Sequence, residues 1–515
     1  MASRKLAWLA LLLALVSGVV SYVGFKPQGW WFASLIGVTG LYLALRPFKL
    51  PGAFLAGVIF GLGQFLPMLT WAHNAAGLLP YLALALVSAL FLALGPLAYA
   101  TARPLVREAM GDSPWADAAV FAVTVTAADA LRSFVPYGGF PWGRLAFSQV
   151  AGPLAAWAWL GGTALVGLVA AAAGPLVVAA GRAVWSRRFL GAVIGAGLAA
   201  GLLLAPLALP LASGAESGAI RVGAVQGDVT VTQEGLFAQQ REVLSNHARL
   251  TARMMADPAT GRLDVVLWPE NSTDIDPRTD AEAEEVINAA AAAAGAPLLV
   301  GAAEYLPTGQ RYNQGLLWVA DQGIVDQYAK QHPAPFAEYM PARSFFRFFT
   351  SKVDLISSDM LPGEEVGVMA LDAPRLGREV ALGDIICFEV AYDAIVAETV
   401  REGAEFVVVQ TNNASFGHSE EATQQFAMTR LRAIELGRAT VQISTVGVSA
   451  AVAPDGSLMT PLTNLFEPAY FVVDLPLRTS LTPAALAGQW VTGLILLLGA
   501  ALALAGIGAW AITRR

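Results

Sequence analysis

Apolar residues form long unbroken runs near both ends of the chain and short, turn-punctuated runs between them. A helix needs about 20 apolar residues to cross a bilayer, at roughly 1.5 Å each. Seven such stretches precede residue 215, at about 6–25, 30–46, 51–72, 77–101, 115–131, 153–181 and 189–211, and an eighth runs from about 486 to 512. The fifth is the weakest, with Asp117 and Asp129 near its ends. The first, with six spans behind it, reads as a retained anchor rather than a cleaved signal. The pattern predicts an α-helical membrane bundle of eight transmembrane helices, seven in 1–215 and one in 484–515, with a soluble domain inserted over 219–475.

The insertion alternates strand and helix patterns. Strands are predicted at 220–226, 263–268, 297–302, 380–386, 405–410, 440–444 and 448–453, with a hairpin pairing 315–320 to 324–328 around Asp321-Gln322-Gly323. Helices are predicted at 236–256, 280–294 (closed by Gly295), 393–402 and 421–436. Mixed sheets covered by helices are the fold this order implies.

The composition agrees with a membrane protein. Of 515 residues 56% are hydrophobic and 14% charged, where a soluble protein has about 25% charged. A net charge of −7 and the lack of a basic tract argue against nucleic acid as a partner. Lys and Arg set the orientation. Arg4, Lys5, Arg46, Lys49, Arg103, Arg107, Arg182, Arg187, Arg188, Arg514 and Arg515 fall on one side, against Lys26, Arg132 and Arg144 on the other. The first side is therefore read as cytoplasmic, with both termini there. The insertion then faces outward, toward the periplasm or outer face of a bacterial cytoplasmic membrane.

Candidate chemistry centres on Cys387, the single cysteine, at the end of the 380–386 strand. Alone, it favours an inert core thiol, because free cysteine is commonly buried. Two more ionisable residues, Glu270 and Lys330, also sit at or just after strand ends. Each has a dull explanation by itself, as a cap or a solvated lysine. Together they supply a base, a cation and a nucleophile, the minimum set for acyl transfer through a thioester. His332 and His418 lack a second ligand at zinc-like spacing and read as structural, so no metal is predicted.

The segments Trp268-Pro269-Glu270, Tyr328-Ala329-Lys330-Gln331-His332 and Ile386-Cys387-Phe388-Glu389, in this order, resemble the nitrilase superfamily. With spans placed seven before and one after, the chain is similar to the bacterial apolipoprotein N-acyltransferase family. Phe140-Pro141-Trp142, residues 431–438 and the run 444–449 fit the same pattern. It departs from that pattern at Ser415, Ala337 and 422–425, and lacks a tryptophan between Gln226 and Leu267.

The resemblance implies an α-β-β-α sandwich and a Glu270-Lys330-Cys387 triad. Glu338 and Glu389 would support it, and the Phe388 N–H would join Lys330 at an oxyanion. It implies a phospholipid acyl donor, a diacylated apolipoprotein acceptor and no cofactor, the phospholipid being already activated. Substrate contacts would come from Phe140, Pro141, Trp142, Phe336, Tyr339, Phe345, Phe346 and Phe416. Residues 345–349 hold four phenylalanines beside Arg343, Arg347 and Lys352, which reads as a lid lying on the lipid bilayer. The rival readings are a membrane-anchored amidohydrolase, in which water resolves the thioester, and a receptor or transporter whose outer domain only binds.

Overall fold

The structure is a computed structural model and describes residues 4–187, 189–211, 213–229, 241–348, 353, 354 and 356–512. The start of the helix expected at 236–256, Phe349, Lys352, Arg188, Arg514 and Arg515 lie outside the described residues. The chain divides into two compact units, Met1–Pro210 with Ala487–Arg515, and Leu211–Leu486.

The first unit opens with α1 (Arg4–Val23), α2 (Trp31–Ala44), α3 (Leu50–Met68), α4 (Trp71–Ala76), α5 (Leu78–Met110), α6 (Pro114–Leu131), α7 (Trp157–Trp185) and α8 (Phe189–Leu204). Small residues let the helices approach closely, as van der Waals packing in lipid requires. A Cβ at Gly61 of α3 would fall 2.6 Å from Ala89 Cα of α5.

All eight predicted stretches are helical, and among the described residues six helices are long and apolar enough to cross a membrane: Arg4–Val23, Leu50–Met68, Leu78–Met110, Pro153–Trp185, Phe189–Ala208 and Pro483–Ala509. The other two expected spans, α2 and α6, are helical but fall outside this set. At 14 residues α2 is roughly 21 Å long, short of a hydrocarbon core of about 30 Å. α6 carries Asp117 and Asp129, which it spends on polar contacts. Asp117 accepts from Tyr42 and Tyr99 at 2.8 and 2.9 Å, and Asp129 pairs with Arg132 at 2.8 Å.

The second unit runs β1 (Ala219–Gln226), α9 (Glu242–Ala256), β2 (Val265–Leu267), α10 (Ala281–Ala294), β3 (Leu298–Tyr305), β4 (Arg311–Val319), β5 (Gly323–Ala329), α11 (Arg343–Arg347), β6 (Val368–Ala373), β7 (Arg378–Ile386), α12 (Asp393–Arg401), β8 (Phe406–Thr411), α13 (Glu421–Leu436), β9 (Thr440–Ser444), β10 (Ala450–Val452) and β11 (Ala469–Pro476). The last helix, α14 (Pro483–Ile512), follows.

The strands form two sheets, ordered β11-β1-β2-β3-β4-β5 and β10-β9-β8-β7-β6. Alternate residues of each strand meet in one core between the sheets: Val222, Ala224, Leu267 and Leu317 from the first, and Leu382, Ile386, Phe406 and Val441 from the second. The opposite face of the first sheet, including Val225 and Val266, packs on Met254 of α9 and Ile287 of α10. Ala422, Phe426 and Ala433 of α13 cover Ala450 and Val452. The result is a four-layer α-β-β-α sandwich whose central strands, buried on both faces, read as continuous apolar runs. β6 and β11, both edge strands with interrupted burial, were not among the predicted strands.

The segment 431–438 has a structural explanation. Arg432 of α13 is 1% exposed and donates to the carbonyls of Val390 and Ala391 and to Asp393, each at 2.8 Å, while also pairing with Glu435. It thereby ties α13 to the turn that follows β7. Arg432→Met should destabilise the unit by about 3–5 kcal/mol, because Glu435 is left buried without its cation. Chemical denaturation followed by tryptophan fluorescence measures this, and a loss below about 1 kcal/mol contradicts it.

Candidate active site

Three strands deliver the triad to one end of the sandwich. β2 and β7 are parallel members of their sheets, so Glu270 and Cys387 both follow carboxyl ends. β5 is two antiparallel steps from β3 and points the same way, which brings Lys330 to that end as well. Glu270 fits tightly in place: a Cβ on Gly301 of β3 would lie 2.7 Å from Glu270 Cα and 2.3 Å from the Pro269 carbonyl.

Lys330 is 1% exposed and donates from Nζ to Glu338 Oε1 at 2.7 Å and to Glu270 Oε1 at 3.5 Å. Burial works against its charge, but Glu338 and then Glu270 outweigh it and hold the ammonium firmly protonated. Glu338 also accepts from the Ala334 N–H at 2.6 Å. Glu270 accepts from Asn313 Nδ2 at 2.6 Å. Burial pushes the Glu270 carboxyl up, and Lys330, with the neighbouring Cys387 thiol, pulls it back.

Cys387 is half-buried and has φ of +55°, a region that β-carbon sterics disfavour. Such strain persists only where the surroundings over-determine it. Glu389 supplies that determination. Its Oε2 accepts from the Ile386 N–H at 2.8 Å, and its Oε1 accepts from Tyr328 OH (2.9 Å), the Gln331 N–H (2.7 Å) and the His332 N–H (3.0 Å). One buried carboxylate therefore joins the Cys387 turn to the end of the Lys330 strand. Burial, and then Glu270, push the Cys387 thiol well above its usual range, while Lys330 opposes them.

The other predicted contacts scatter more widely. Phe388 meets Tyr392 edge-on at 5.3 Å, and His332 lies 4.0 Å from the same ring. Phe336, at φ +66°, meets Phe346 edge-on at 4.9 Å, and its N–H donates to the half-buried Tyr339's carbonyl at 2.9 Å. Phe345 and Phe348 are 60% and 85% exposed on and just after α11. Phe416 is half-buried on the short turn Ala414–Phe416, and His418 lies 4.4 Å from Phe466. In the first unit Pro141 and Trp142 are buried, with Trp142 5.2 Å from Trp71. The Phe140 and Trp142 carbonyls accept from Arg132. Among the described residues no group of three or more His, Cys, Asp or Glu could hold a metal ion.

Sequence reasoning missed Asn313, Gln425 and Glu421. Gln425 Nε2 donates to Cys387 Sγ at 3.5 Å, and Asn413 Nδ2 donates to both Gln425 Oε1 and Glu421 Oε2. Burial pushes Glu421 up to about 8. Asn313 shares the core-facing parity of β4 with Arg311, Gly315 and Leu317, so no local pattern singled it out.

A buried carboxylate, a paired ammonium and a thiol at positive φ, gathered at strand ends of an α-β-β-α sandwich, place this unit in the carbon–nitrogen hydrolase class. Residues 221–480 match the family model described as Carbon-nitrogen hydrolase, and residues 17–176 match the Apolipoprotein N-acyltransferase N-terminal domain. The chain is 36% identical to the apolipoprotein N-acyltransferase of Mycolicibacterium smegmatis, over 96% of this chain and 84% of that protein. It is 31% identical to the one of Azotobacter vinelandii, over 99% of this chain and 96% of that protein. Among solved structures, an amidase from Nesterenkonia sp. aligns with 51% of this chain and 92% of its own, at 18% identity and a TM-score of 0.38. The chain belongs to the apolipoprotein N-acyltransferase family.

The charges around Cys387 set the sign of a test. Alkylation by iodoacetamide, followed by mass spectrometry as a function of pH, should have its midpoint above the ordinary thiol value of about 8.5. Glu270→Gln removes a like charge and should lower the midpoint, and Lys330→Met removes the cation and should raise it. An unchanged or raised midpoint in Glu270→Gln would contradict this electrostatic account.

Proposed function

We propose that the protein N-acylates lipoproteins, taking a fatty acyl chain from a membrane phospholipid and passing it through a Cys387 thioester to the α-amino group of a diacylglyceryl-cysteine. The carrying observation is the convergence of Glu270, Lys330 and Cys387, linked by hydrogen bonds and buried charge, in a chain whose relatives match along nearly its full length.

Glu270 takes the Cys387 proton as the sulfur attacks the ester carbonyl. The thiol is high in its resting state, so proton transfer and attack proceed together and the free enzyme carries little exposed thiolate. The oxyanion forms against Lys330 and the Phe388 N–H; one such donor is typically worth about 3 kcal/mol. Collapse breaks the ester C–O bond, and the departing lysophospholipid oxygen takes the proton from Glu270. In the second half the acceptor amine attacks the thioester and gives its proton to Glu270. Collapse then breaks the C–S bond, forms the amide and returns that proton to Cys387. Glu338 and Glu389 position Lys330 and the Cys387 turn.

In this reading the enzyme is a multi-pass protein of the bacterial cytoplasmic membrane with its catalytic domain outside and its termini in the cytoplasm. Phe345, Phe346 and Phe348 meet acyl chains, with Arg343 and Arg347 near phosphates. Arg343 is already held by Asp359, which aims the α11 segment.

Intact-protein mass spectrometry after incubation with phospholipid alone tests the reading. The expected result is a gain of one acyl chain, labile to neutral hydroxylamine and absent in Cys387→Ala. A diacylated lipopeptide should then discharge it, with the acyl group appearing on the amine. Release as free fatty acid would favour hydrolysis, and no adduct on folded protein would exclude the acyl-enzyme route.

A further inference from the structure

Asp384 is a carboxyl group that the proposed reaction does not use. It lies on β7 three residues before Cys387, at the same parity as Val380, Leu382 and Ile386, so it enters the core between the sheets. It is fully buried, and neither of its oxygens has a hydrogen-bond partner. The Ile385 N–H approaches it without the alignment of a hydrogen bond.

Opposite stands Gly315 of β4, where a Cβ would lie 2.0 Å from Asp384 Oδ2 and 2.8 Å from Gln410 Oε1. Gln410, on β8, is also fully buried, and its Oε1 is also unpartnered. The amide cannot simply turn over, because Gln410 Nε2 donates to the Trp268 carbonyl at 2.6 Å. Two buried acceptors thus converge on the space that Gly315 leaves, and a pair of bare acceptors there is strongly unfavourable. A single proton on the carboxyl removes the conflict.

We infer that Asp384 is held as a neutral carboxylic acid that donates to Gln410 Oε1 and, through the Gln410 amide, fixes the Trp268 carbonyl two residues before Glu270. The surroundings favour this form: burial, and then the charges of Glu389 and Glu270, raise the carboxyl well above the usual carboxylate range. The chain Asp384–Gln410–Trp268 links the strand carrying the nucleophile to the strand end carrying the base, across the interface between the two sheets. Asp384 is a positioning residue, and this role rests on the reading of Glu270 as the base.

The test uses the full-length protein in detergent. An infrared difference spectrum between wild type and Asp384→Asn at neutral pH should contain a carboxylic acid carbonyl band lost in the variant. Absence of that band overturns the proposal. In single-turnover acylation of Cys387 by phospholipid, Asp384→Asn supplies an Nδ2 donor and should stay within about threefold of wild type. Asp384→Leu has similar volume and no donor, and should acylate about tenfold more slowly or worse. Equal slowing in both variants would mean that the donor is not what matters and overturns the proposal. Should Asp384→Leu fail to fold, the infrared band and the asparagine rescue still decide. A wild-type protein showing the acid band but no thioester would sink the acyl-transfer reading and leave the buried acid standing.

Discussion

The buried ammonium of Lys330 sets the terms for the groups around it. Removing one such ion from water costs on the order of several kcal/mol, and the carboxylates must return that through close pairing. Glu338 does so at 2.7 Å and Glu270 at 3.5 Å. The unequal distances divide the labour. Glu338 is occupied by Lys330 and the Ala334 N–H, whereas Glu270 keeps contact with the Cys387 thiol. In the proposed mechanism, the pairing that makes the cation tolerable also leaves one carboxylate free to move protons.

Strain at Cys387 depends on a second buried carboxylate. Four donors converge on Glu389, three of them main-chain N–H groups, and they come from both sides of the interface between the sheets. Arg432 braces the far side of the same turn. The positive φ at Cys387 is thus enforced from two directions, which keeps the sulfur where three strand ends meet.

The helical unit follows other rules. Its close contacts come from glycine and alanine, and its polar side chains gather at nodes such as Asp117 with two tyrosines and Asp129 with Arg132. The Arg132 guanidinium also lies over the Phe65 ring at 4.9 Å and holds the carbonyls of Phe140 and Trp142. The Phe140-Pro141-Trp142 segment is therefore built into its own unit. Its aromatic and proline content looks the same in sequence whether it lines a surface or fills an interior.

Local pattern was enough to locate the helices, the central strands and the three ionisable groups at strand ends. Those features depend on runs of 5 to 20 residues whose periodicity is set by backbone geometry. The convergence of these three groups was readable because each has distinctive neighbours, such as Trp268-Pro269 before Glu270 and Phe388-Glu389 after Cys387. Edge strands β6 and β11 were not predicted, although β11 carries the apolar run Ala469 to Val473. Among the described residues six helices reach spanning length, and the stretch at α2 ends after 14 residues, which hydropathy alone does not register. Asn313, Asp384, Gln410 and Gln425 acquire meaning only when the sheets stack and α13 lies over the Cys387 turn. Their partners lie on other elements, 12 to 142 positions away for the bonds of Gln425 and Gln410, and no local signal encodes which polar group will face another across a packed core.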